Sequence, residues 1–224
     1  MREVEFTMNE IMESIDNEKL EKIKRYKILN QYVKKGQILF TGSSLMEQFP
    51  IYEFIQDYDI KEIIYNRGIG GFTTTQMLPC LDVMVYELKP FKVFINIGTN
   101  DLNEVDYSLV ALMGRCETIV KQIKEHLPEC KIYYMAYYPI NGEYDFGNED
   151  MKQTLKIRTN KRIDEANFAL EQMAKNNHIN FININRNLYD ENGNLKSEYS
   201  IEGMHMYANG YHAILEDLMK YVRE

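Results

Sequence analysis

Four short segments of the 224-residue chain carry residue types that acyl transfer requires. Gly42-Ser43-Ser44 stands where an apolar run gives way to a helical pattern. Asn66-Arg67-Gly68-Ile69-Gly70-Gly71 is a flexible stretch rich in free amides. Gly98-Thr99-Asn100-Asp101 follows another apolar run, and Glu202-Gly203-Met204-His205 precedes the last helical pattern. A serine hydroxyl is a weak nucleophile and needs a base to take its proton. Imidazole suits that role. Attack on a carbonyl places negative charge on the former carbonyl oxygen, and preorganised donors must meet it, each worth about 3–4 kcal/mol when deleted. Ser44 opens a helix, so its backbone N–H is free. Gly71 lets the backbone come close to a substrate, and the Asn100 amide adds a third donor. Each segment alone also has an ordinary reading. GSS can cap a helix, GGF can be a tight turn, GTND can be an Asx-turn, and His205 can be a satisfied structural histidine. The functional reading rests on all four falling on one rim.

The elements that must form this rim are legible as alternating strands and helices. After Gly36, short apolar runs predict strands at 38–41, 62–65, 93–97, 132–136 and 180–184, with helices at 45–58, 74–88, 107–126, 160–177 and 208–222. Strands this short and apolar suit a parallel sheet buried on both faces. The expected fold is therefore a three-layer α/β/α sandwich with a five-stranded parallel sheet. In such a sheet, ligands bind beyond the carboxyl ends of the strands, where all four segments fall. Residues 1–35 are expected to form an N-terminal helical extension, with 36–224 as the main domain. Within the extension, 7–33 reads as one or two charged amphipathic helices, with Phe6, Ile11, Ile15, Leu20, Ile23 and Tyr26 as apolar contacts. It could pack on the core, on a second subunit, or over the site as a lid. The segment 139–155 is polar and rich in Gly and Asn, which suits either a binding element or a solvated loop.

Composition narrows the partners. A hydrophobic fraction of 45% and an aromatic fraction of 12% can fill a sizeable core. A net charge of −8 with no dense basic cluster argues against nucleic-acid binding. The three cysteines, Cys80, Cys116 and Cys130, make a poor disulfide framework, and no Cys/His cluster has zinc-ligand spacing. The N-terminus lacks the apolar region of a signal peptide, and no apolar run is long enough to span a bilayer. The expectation is a soluble, cytoplasmic protein with a small-molecule substrate, without nucleic-acid or membrane partners, and with self-association left open.

In order, these segments resemble the blocks of the SGNH, or GDSL-type, esterase and lipase family. FTGSSL is similar to the GDSL motif, with Ser44 as the nucleophile. NRGIGGFTT is similar to the N-x-G-x-x-G-D-T block, with Gly71 at the oxyanion position. INIGTNDL is similar to the GxND block, with Asn100 as the oxyanion side chain. EGMHMYANGY resembles the DxxH block, with His205 as the general base. The resemblance spans about 38–211 and leaves the N-terminal arm outside. It implies a flavodoxin-like fold and metal-free, cofactor-free ester hydrolysis through an acyl-enzyme, with an oxyanion hole of the Ser44 N–H, the Gly71 N–H and the Asn100 amide. Three positions depart from the pattern. Ser43 replaces the loop-bracing Asp. Phe72 replaces an Asp or Asn, which would narrow the pocket or substitute packing for a polar brace. Glu202 replaces the triad Asp; it could hold the His205 tautomer or point to solvent and leave a dyad.

Other candidates are weaker. Tyr137 and Tyr138 end the fourth predicted strand and could line an acyl or sugar pocket, or simply pack. His126 and His178 suit helix capping, and His212 lies on the last helix. Asp101 suits a cap on the following helix. Arg67 could pair with an acid or meet a substrate anion. The function expected is hydrolysis of a small, acetyl-like ester on a carbohydrate or lipid alcohol, because no apolar helical lid appears between the blocks. Acyl transfer to another alcohol uses the same residues. A non-catalytic binding module and a flavin- or nucleotide-binding protein are the alternatives; the latter lacks GxxxxGK[ST] or GxGxxG after a strand.

Overall fold

In the computed structural model, which describes residues 12–58 and 60–224, alternation along each strand builds two cores, one on either face of a parallel sheet. The strands are β1 (Ile38–Gly42), β2 (Ile64–Gly68), β3 (Lys92–Asn96), β4 (Lys131–Met135) and β5 (Asn180–Ile182). They pair in the order β2-β1-β3-β4-β5, all in parallel. Leu39, Val93, Ile95, Ile132 and Tyr134 point to one face. Their neighbours Ile38, Phe40, Phe94, Tyr133 and Met135 point to the other, as a period of two requires. The three-layer sandwich with a flavodoxin-like strand order is as expected.

The helices are α1 (Asn17–Leu29), α2 (Ser44–Glu47), α3 (Ile51–Asp57), α4 (Thr74–Met77), α5 (Leu81–Met84), α6 (Leu109–His126), α7 (Glu149–Ile157), α8 (Asn160–Asn176) and α9 (Ala208–Arg223). The first core takes α4, α5, α6, α8 and the apolar side of α1. The second takes α2, α3 and α9. In α6 the buried Leu112, Cys116, Ile119, Val120 and Ile123 repeat at helical spacing. The amide of Ala111 donates to the Ser108 hydroxyl, which starts that helix. The buried Lys92 side chain ends α9, donating to the carbonyls of Tyr221 and Val222.

Several boundaries differ from expectation for identifiable reasons. The helix expected over 45–58 is two helices, because Pro50 has no N–H to continue the first. Pro79 likewise divides the segment 74–88 into α4, α5 and 3₁₀ turns. β2 runs through Gly68, so Asn66 and Arg67 lie in the strand and not in the loop after it. The segment 139–155 is not loop throughout. Asn148 caps α7, accepting from the Met151 amide.

Buried polar groups attach α1 to the core. Asn30, which follows α1, donates to the Val83 carbonyl and accepts from Arg67 Nε at 2.8 Å. Tyr26 donates to the Gly68 carbonyl at 2.7 Å. Arg67 therefore meets neither an acid nor the site: it is buried, bonded to Asn30 and to the Asn66 carbonyl, with its guanidinium over the Tyr26 ring. Phe6 and Ile11 lie outside the described residues. Asn30→Ala should cost about 2–3 kcal/mol, since it orphans the buried Arg67 Nε. Urea unfolding of the variant measures that loss.

Candidate active site

At the end of β1 the backbone must turn at once into α2. Gly42 makes the turn with φ of 148°, and a Cβ there would lie 2.0 Å from the Asn96 carbonyl oxygen. Ser43 follows, buried and extended, with its hydroxyl unpartnered among the described residues. It serves the turn. Ser44 then opens α2 at the mouth of a cleft of about 440 Å³. Its backbone N–H donates to no acceptor among the described residues, as the first position of a helix requires.

The opposite side of the cleft comes from the turn before α9. The Gly203 amide donates to the Ser200 hydroxyl, the Ile201 amide to the His205 carbonyl, and the Asn141 amide to the Gly203 carbonyl. This closed turn aims the His205 ring at β1. His205 Nε2 lies 2.8 Å from Ser44 Oγ. On its other side, Nδ1 meets Glu202 Oε1 at 2.5 Å, and the same oxygen accepts from the His205 backbone amide at 3.1 Å. The longer glutamate thus folds back on its own turn. Burial pushes the Glu202 carboxyl up, but the bonds from His205 and the nearby charges of His205 and Arg158 outweigh burial and hold it below its ordinary 4.5.

The donor side is built from the loops after β2 and β3. Gly71 adopts φ of 72°, and its N–H donates to no acceptor among the described residues. The preceding amide, Gly70 N–H, donates to Glu47 Oε2 at 2.7 Å. Lys22 of α1 grips the same carboxylate at 3.0 Å. Lys19 lies against Gly71, so α1 forms part of the cleft wall. Asn100 also lines the cleft; its Nδ2 donates to the Phe72 carbonyl at 2.8 Å. The structure therefore brings Ser44, His205, Glu202, Gly71 and Asn100 together.

It does not bring the three expected substrate-contacting aromatics. Phe72, Tyr137 and Tyr138 are fully buried in the cores, and that expectation is corrected. Phe72 packs in the first core, where the resemblance implies a polar brace. Tyr137 donates to the Ile97 carbonyl, and its own backbone is held by Asn167 and Asn185. His212 meets Tyr58, and His126 stacks on Tyr86, both outside the cleft. His178 takes a left-handed backbone after α8. Asp101 does not cap the helix that follows it. It accepts from the Thr74 amide and hydroxyl and from Arg115, bracing α4.

Three features at or behind the cleft involve residues that the sequence did not single out. Lys19 and Lys22 reach the cleft from the arm, and their i,i+3 spacing was the available signal. α7 contributes Met151 and Thr154 to the wall, where no helix was expected. Arg158 stands behind Asn100. No helix among the described residues is long and apolar enough to cross a membrane. No group of three or more His, Cys, Asp or Glu among them could hold a metal ion.

The sequence model of the GDSL-like Lipase/Acylhydrolase family matches residues 53–213. The chain belongs to this family. As a GDSL family member it is a hydrolase. The match begins after Ser44, so the first block rests on the geometry described above. A solved structure from Streptococcus pneumonia, named as a platelet activating factor, superposes with a TM-score of 0.82 at 29% identity, covering 92% of each chain. The platelet-activating factor acetylhydrolase IB subunit alpha2 of Rattus norvegicus is 24% identical over 85% of this chain and 78% of its own length. The N-acylneuraminate cytidylyltransferase of Escherichia coli O18:K1:H7 (strain RS218 / NMEC) is 24% identical over 87% of this chain. This chain spans only 42% of that relative.

The loop carrying Gly71 depends on the Glu47 acceptor. Glu47→Ala should speed amide hydrogen exchange over residues 69–72 while exchange in β1 and β3 stays slow, measured by mass spectrometry.

Proposed function

We propose that this GDSL family hydrolase is a serine esterase that removes a small, acetyl-like group from a polar alcohol. Ser44 Oγ attacks the ester carbonyl carbon as His205 Nε2 takes its proton. The negative oxygen is met by the Ser44 N–H, the Gly71 N–H and the free hydrogen of Asn100 Nδ2. The tetrahedral adduct collapses, His205 returns the proton to the leaving alcohol, and the acyl group stays on Ser44. Water, deprotonated by His205, then attacks the acyl carbon; the Ser44 Oγ–acyl bond breaks, His205 returns the proton to Oγ, and the acid leaves. Glu202 holds the imidazole tautomer and stabilises its protonated form.

The observation that carries this reading is the unbroken relay from Glu202 through His205 to Ser44, beside two N–H groups without acceptors among the described residues. Support for a polar alcohol comes from the cleft wall. Lys19, Lys22, Glu47, Gln48 and Asn103 outnumber its apolar members, Met151 and Met204. Support for a short acyl group comes from the relative named an acetylhydrolase.

On p-nitrophenyl esters, kcat/KM should fall as the acyl chain lengthens from acetate. A rise toward octanoate would contradict the short-acyl reading. Glu202→Gln should lower kcat by about 10²- to 10⁴-fold with the fold intact. Unchanged turnover would leave only a Ser–His dyad. Because its pKa is held below the ordinary value, Glu202 should lose its charge at a lower pH than an ordinary glutamate. Above the ordinary carboxylate range the acid limb of the rate profile should therefore be no more than one proton steep. A two-proton limb in that range would contradict the lowered carboxyl.

A further inference from the structure

Asn100 can stabilise an oxyanion only if its amide presents nitrogen, not oxygen, to the cleft. The two ends are nearly the same shape, so the surroundings must choose between them. Two neighbours do so here. The Phe72 carbonyl accepts one Nδ2 hydrogen at 2.8 Å. Arg158 Nη2 donates to Asn100 Oδ1 at 2.9 Å. Rotating the amide by half a turn would set oxygen against the Phe72 carbonyl and NH₂ against a guanidinium that can only donate.

Arg158 is well fixed for this role. It ends α7, is only 1% exposed, and donates through Nε to Asn103 Oδ1 and through Nη1 to Met204 Sδ, both at 2.8 Å. Burial pushes its guanidinium down to about 10, opposed by the charges of Asp101 and Glu202. It thus bridges the loop after β3 and the turn that carries His205.

We propose that Arg158 is a positioning residue that locks the Asn100 amide with its Nδ2–H toward the cleft. This rests on the esterase reading of the site. A double-mutant cycle on p-nitrophenyl acetate separates the two. Asn100→Ala should lower kcat by about 10²- to 10³-fold. Arg158→Gln should lower kcat by about 10- to 100-fold, with KM within about twofold. In the Asn100→Ala background, Arg158→Gln should change kcat less than about threefold, because the group it positions is gone. Losses that multiply would overturn the inference and make Arg158 a packing residue, as would wild-type kcat in Arg158→Gln. If Asn100→Ala itself loses nothing, the esterase reading of Asn100 fails and takes this inference with it. Should Arg158→Gln not fold, Arg158→Lys runs the same cycle. Lysine keeps the charge but loses the fork, so its loss should be smaller and equally absent beside Asn100→Ala.

Discussion

The contact between His205 Nε2 and Ser44 Oγ joins residues 161 positions apart in the chain, and the rest of the site depends on it. Neither partner is free to adjust. Ser44 stands one residue beyond a buried turn in which Gly42 has no room for a side chain. His205 sits in a turn closed by hydrogen bonds to Ser200 and Asn141. The sheet fixes the distance between them, because β1 is held between β2 and β3 and α9 packs on the second face of the sheet through Tyr211, Ile214 and Leu215. A strand order that reverses beside β1 opens the cleft at that position. Rigid packing here fixes the spacing of the two groups, and small displacements of reacting groups cost large factors in rate.

Around this contact, buried charge is held by neutral dipoles more than by opposite charge. Arg67 donates to an amide and a carbonyl, Lys92 to two carbonyls, and Arg158 to two amides and a thioether. Each arrangement gives a charged group partners that offset the cost of burial, although Arg67 Nη2 has none among the described residues. The negative groups differ, each combining a backbone N–H with a basic side chain. Glu47 takes a backbone N–H and a lysine, and Glu202 takes a backbone N–H and an imidazole. In both cases one carboxylate fixes a loop and tunes a neighbour at once. The arm that lies outside the resemblance is part of this arrangement, because Lys22 completes the Glu47 site.

Strand and helix alternation, the parallel sheet and the convergence of Ser44, Gly71, Asn100 and His205 were legible because each rests on a local signal: apolar periodicity, a glycine at a turn, or a residue type placed after a strand. The reach of Glu202 back to Nδ1 was foreseen as one of two options, and three-residue spacing within a tight turn is what realises it. Misreadings arose where tertiary context decides. A polar run such as Asn66-Arg67 reads as loop, yet the core accommodates it by supplying Asn30. Aromatics at a strand end read as pocket lining, yet Tyr137 satisfies its hydroxyl inside the core. The sequence does not single out Arg158 at all. Nothing local to it signals that Asn100, Asn103 and Met204 will converge on its guanidinium.

The central claim is that Ser44 is an activated nucleophile, and fluorophosphonate labelling read by intact mass and peptide mapping tests it most directly. No substrate need be known, because the reagent phosphonylates only a serine whose proton is taken by a base. The account predicts a single adduct on Ser44 in the wild-type protein and none in Ser44→Ala or His205→Ala. Folded wild-type protein that takes no adduct, or takes it elsewhere, would contradict the account and favour a site that binds without turning over.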